Sequence, residues 1–100
     1  MDPANSDIHI SDVVVSTAGR DIGEWFYVIG REEAFLLLAN GRNRTLEHPK
    51  RKRLRHVRKV LRSETRVAEK LISGDKLLNS ELRRDLAFLA RQMQDTNLGG

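Results

Sequence analysis

Hydrophobic positions fall into two regimes along the chain. Up to about residue 62 they form short β-branched or aromatic runs, each stopped by glycine, proline or charge. Beyond Ser63 they return at steps of three and four. The first regime predicts strands and the second predicts helices. "DVVVSTAG" ends on Gly19 and reads as a strand. "GRDIG" marks a tight turn with Gly19 and Gly23, and "EWFYVIG" reads as a second strand. Arg31-Glu32-Glu33 forms the next connection, and "AFLLLANG" supplies a third strand. "NGR" at 40–42 is a hairpin signal, because Asn and Gly accept positive φ. "NRTLEH" predicts a short fourth strand ended by Pro49. "RLRHVRKVL" fits either a last strand or the start of a helix.

In the helical part, Val67, Ala68, Leu71 and Ile72 share one face, with Ser63 as a candidate N-cap and Gly74 as the stop. A second helix starts near Asn79 or Ser80 and carries Leu82, Leu86, Leu89 and Met93 at steps of four, three and four. Residues 1–11 lack periodicity and read as a flexible lead-in. The expected organisation is a β domain over 12–62, a helical extension over 63–95 and a frayed tail over 96–100. Closely spaced short strands with glycine turns suggest a small twisted barrel. Its core would draw on Val13, Val15, Trp25 or Phe26, Val28, Phe35, Leu37 and Val57.

Charge changes this picture. The net charge of +4 hides a sharp segregation. Residues 1–41 carry two bases against seven acids, residues 42–62 ten bases against Glu47 alone, and residues 63–100 six of each. Focused positive charge in "LEHPKRKRLRHVRKVLR" suits a polyanion, although charge runs often serve only as solvated surface. "PKRKR" also fits a nuclear import signal, but it abuts structured sequence. The candidate RNA contacts are Arg20, Arg42, Arg44, Lys50, Arg51, Lys52, Arg53, Arg55, Arg58, Lys59 and Arg62. Trp25, Phe26 and Tyr27 are consecutive, so a strand sends them to alternating faces. With Phe26 inside, Trp25 and Tyr27 become candidate base-stacking platforms or covers for the helices.

There are no cysteines, which removes disulfides and thiolate metal sites and fits a reducing compartment. His9, His48 and His56 lie apart, without metal-ligand spacing. No catalytic triad, nucleophile elbow or phosphate-binding loop is visible, so neither an enzyme nor a cofactor is expected. "MDPANSDIHISD" has no signal-peptide pattern, and no apolar run is long enough to cross a membrane. The expected location is the cytoplasm.

"VVVSTAGRDIGEWFYVIG", residues 13–30, resembles the KOW motif, with Gly19, Arg20 and Gly23 at the expected places. Together with "FLLLANG" and the basic stretch, residues 12–62 resemble the large-subunit ribosomal protein L14e family, especially its small bacterial KOW-domain RNA-binding relatives. Many KOW motifs have Lys after the second glycine, whereas this chain has Glu24. The resemblance implies a small SH3-like (KOW) barrel, so the expected fold is mainly β with α: that barrel followed by the two C-terminal helices read from the periodicity. It implies an RNA-binding, non-enzymatic protein associated with ribosomal or structured RNA in translation. The helices would pack either on the barrel or on a partner such as a ribosomal protein, and neither a membrane nor a small-molecule substrate is expected. The alternatives are a protein–protein adaptor and a nucleic-acid-associated factor of the transcription-elongation type.

Overall fold

The computed structural model describes residues 7–99, with side chains for residues 7–94. Five strands form one antiparallel sheet: β1 (Asp12–Ser16), β2 (Trp25–Glu32), β3 (Phe35–Ala39), β4 (Lys50–Arg53) and β5 (Val57–Arg62). Two helices follow, α1 (Arg66–Ser73) and α2 (Asn79–Gly99). The strand order is β4-β3-β2-β1-β5, so the chain meanders and then returns its last strand to the first. A three-residue 3-10 turn, Leu54–His56, joins the two edge strands. The sheet must therefore bend sharply, although β4 and β5 do not pair.

Each face of the bent sheet has its own core. Val14, Phe26, Val28, Leu36, Leu38, Leu54 and Val57 line the inner face. Val13, Tyr27 and Ala39 lie on the outer face and meet Val67, Leu82, Leu86 and Leu89 from the helices. Each of these large apolar side chains contributes about 1.5–3 kcal/mol when fully buried. The leucine stripe of α2 therefore anchors the helices, while Met93 at its end is exposed. Thr65, and not Ser63, caps α1, accepting from the Ala68 N–H at 3.4 Å. Gly74 ends it in the left-handed conformation.

Other expectations change as well, and β2 runs through Arg31 and Glu32, which the sequence pattern places in the connection. Residues 43–48 form a loop, and the fourth strand begins after Pro49, at Lys50. Asn40 dictates this: its Oδ1 accepts from the Arg42 and Arg44 N–H groups and its Nδ2 donates to Asn43, which holds the chain in a tight turn. Within the expected lead-in, residues 1–6 lie outside the described residues. Ile8, however, is buried in the inner core and Ser11 N–H donates to the Val28 carbonyl, so residues 7–11 are packed. In β3 the inner residues are Leu36 and Leu38, with Phe35 and Leu37 half-buried outside. The register shift at Val28/Gly30 resets the phase of β2 against β3. At the C-terminus the α2 backbone runs through Gly99, into the stretch expected to fray, and Gly100 lies outside the described residues.

Candidate nucleic-acid interface

Strand alternation divides the basic band. "KRKR" is β4, so successive residues point to opposite faces. Lys50 and Lys52 pair with Leu38 and Leu36, the inner-face residues, whereas Arg51 and Arg53 pair with Leu37 and Phe35 on the outside. The two lysines turn inward onto the β1–β2 turn. Asp21 in that turn lies 2.7 Å from Lys50 Nζ and 2.8 Å from Lys52 Nζ. Lys52 also donates to the Ala18 carbonyl at 2.7 Å and is only 8% exposed.

The turn itself is built to present Asp21 inward. Ser16 Oγ donates to Asp21 Oδ1 at 2.7 Å, and Gly23 N–H donates to the Ser16 carbonyl at 2.9 Å. Gly19 and Gly23 hold φ near +90°, a conformation that a side chain with Cβ adopts at a cost. Burial alone would raise the Asp21 pKa. The Lys50 and Lys52 ammonium groups and the Ser16 hydroxyl outweigh it and hold the carboxyl well below the usual carboxylate range. Arg20 and Ile22 are left exposed beside it.

Lys59 is engaged as well, at 3.2 Å from the buried Asp12 carboxylate. Thus Lys50, Lys52 and Lys59, expected to reach RNA, spend their charge inside the fold. Arg51 is exposed but sits 3.4 Å from Glu32. Arg20, Arg42, Arg44, Arg53, Arg55, Arg58 and Arg62 are all exposed, and among the described residues none has an acidic partner within 4 Å. Lysine in the band thus belongs to the structure, and arginine to the surface.

Arg42 and Arg44 stand on the β3–β4 loop, which is clamped to the start of α2. Asn79 Oδ1 accepts from Leu46 N–H at 2.8 Å, and Arg83 donates to the Gly41 carbonyl at 3.0 Å. Gly41 has φ +77°, and a Cβ there would lie 2.2 Å from the Asn79 carbonyl oxygen.

No family model matches the chain, and no curated protein matches it.

The expected stacking role of Tyr27 does not survive its placement. Tyr27 is 0% exposed under the helices, where it donates to Asp85 and hydrogen-bonds Ser63 at 2.8 Å. Burial, and next the Asp85 carboxylate, push its phenol well above the ordinary value. Trp25 is half-buried against the same helix-side core. Both aromatics are needed where α1 and α2 cover the sheet, so Tyr27 has no face to offer a base. The aromatic ring on the arginine surface is Phe35, which sequence reasoning had assigned to the core. Arg51 lies 3.7 Å above its centroid, and Arg53 lies at 5.0 Å. The period-two alternation of "KRKR" was the signal that could have placed these arginines together on that face. Among the described residues no group of His, Asp or Glu is arranged to hold a metal, and no helix is long and apolar enough to cross a membrane.

Proposed function

We propose that this protein is a non-enzymatic, cytoplasmic RNA-binding module acting on ribosomal or other structured RNA, with its bent sheet forming an SH3-like barrel of the KOW type. The strand order and the 3-10 turn between the edge strands support the barrel reading. One observation carries the function. Seven exposed arginines of the band and the β1–β2 turn lack an acidic partner among the described residues, whereas Lys50, Lys52 and Lys59 are paired. Unpaired arginines in one band repel one another until a polyanion neutralises them. Their planar forks suit bidentate phosphate contacts, so affinity comes from the backbone charge of the RNA.

The test is an RNA titration across salt concentrations with Arg55→Gln/Arg58→Gln. If both contact phosphate, the log–log salt slope flattens by about 1.4 for single-stranded RNA, at ~0.7 per contact. An unchanged slope and affinity would remove these arginines from the binding surface. A second reading, a protein-binding adaptor, rests on Phe88, which is 50% exposed on α2. Phe88→Ala weakening a protein partner while RNA affinity stays unchanged would favour it.

A further inference from the structure

Arg51 differs from the other arginines of the band. It is stacked on a ring and carries an acid beside it, which is a poor design for gripping phosphate. Its guanidinium carbon lies 3.7 Å above the Phe35 centroid, and its Nε lies 3.4 Å from Glu32 Oε2. Register places the three together on the outer face: Glu32 pairs with Phe35, Phe35 with Arg53, and Arg51 with the neighbouring Leu37. The Arg51 side chain is 56% exposed, so a ligand in solvent can reach it.

Building on the RNA reading, we infer that Glu32, Phe35 and Arg51 form a subsite for one unpaired nucleobase, and that this base is guanine. A guanidinium plane is a stacking surface for an unstacked base, and the ring behind it fixes its orientation. A carboxylate 3.4 Å from the guanidinium Nε repels phosphate and accepts hydrogen bonds. Guanine alone among the four RNA bases offers two adjacent donors, N1–H and the 2-amino group, matching a two-oxygen acceptor. Uracil and adenine cannot present that pair. Arg53, 5.0 Å from the same ring and free of acidic partners among the described residues, would meet the phosphate flanking the stacked nucleotide. The patch thus reads a base with Arg51 and Glu32 while its neighbours hold the backbone.

The experiment uses the full chain and two RNA hairpins that differ only in one bulged nucleotide, G or U. Wild-type protein should prefer the G bulge by about tenfold, the size expected of one well-made two-bond base contact. Replacing guanosine by inosine, which keeps N1–H and loses the 2-amino group, should give up part of that preference. Arg51→Lys keeps the charge but not the plane, and Phe35→Leu removes the backing; either should bring the two hairpins to equal affinity. Glu32→Gln should do the same, and thermal melts confirm that each variant is folded. Equal affinity of wild type for both bulges, or a preference that survives Arg51→Lys, overturns the subsite and leaves RNA binding standing. Failure of wild type to bind either hairpin at low salt overturns both.

Discussion

Asp21→Asn isolates the ion-pair centre that ties the β1–β2 turn to β4. The substitution keeps the shape and one carbonyl acceptor but removes the charge that neutralises Lys50 and Lys52. Lys52 is buried, and its ammonium would keep only neutral partners, the Ala18 carbonyl among them. Removing one member of a buried pair costs roughly 3–5 kcal/mol, because the other charge stays desolvated. Asn retains an acceptor, so the lower end applies, about 3 kcal/mol. For a domain of this size that corresponds to a fall in Tm of roughly 12–24 °C. A second variant separates charge from shape. Asp21→Asn/Lys52→Met removes the two buried charges, leaves only the partly exposed Lys50 ammonium and should recover part of the loss, since apolar replacements of buried pairs are often neutral. The pH dependence follows from the depressed carboxyl. Its folded pKa lies below the unfolded value of about 3.9, so the stabilisation is complete above that value. It drains away as pH falls from that value through the folded pKa, and Asp21→Asn should flatten that part of the acid limb. The assay is thermal melting by circular dichroism from neutral pH to pH 2. A single-variant Tm within two or three degrees of wild type, roughly the shift from under 1 kcal/mol, would refute the buried-pair argument.

Gly41→Ala should lower the Tm markedly, because it combines a φ of +77° with a Cβ 2.2 Å from the Asn79 carbonyl oxygen, measured by the same melts. The lone tyrosine of the chain gives a clean alkaline readout: tyrosinate absorbance should not rise near the ordinary value of about 10 but at higher pH, with unfolding. A phenol held protonated in the fold withdraws stability as pH climbs past its unfolded value, so the melting temperature should fall over the same range. A tyrosinate signal at ordinary pH in folded protein would contradict the placement of Tyr27 against Asp85.

The helical half was legible because its signals are local. Leu82, Leu86 and Leu89 declare one face, and Gly74 ends α1 where a left-handed residue is needed. Strand existence was equally plain for β1, β2 and β3. The fourth strand was not, because "KRKR" has no apolar residue to reveal a buried face. Its inward side is satisfied by an aspartate 29 residues earlier in the chain than Lys50, a pairing that no window of sequence contains. Of the two roles open to Tyr27, stacking platform or cover for the helices, the fold realises the second, for a related reason. Alternation told correctly that Tyr27 lies opposite Phe26, but a sheet with both faces covered buries both residues. The exposure of Arg20, Arg42, Arg44, Arg55, Arg58 and Arg62 follows the expectation from charge, while the binding expected of them awaits the titration. The selection of arginine over lysine for that surface depends on three-dimensional pairing, which composition cannot express.

The double-sided burial of β2 has a consequence for how this molecule opens. Phe26, Tyr27 and Val28 are consecutive and fully buried, one in each direction in turn. Neither hydrophobic layer can be peeled off without wetting the same strand. Amide protons along β2 should therefore exchange with solvent only through global opening, and those of α2 at Leu82 and Leu86 should follow the same slow kinetics. The two halves that look so different in sequence would behave as one cooperative unit, with the β3–β4 loop tied into it through Asn79 and Arg83 and the turn bearing Arg20 through Asp21.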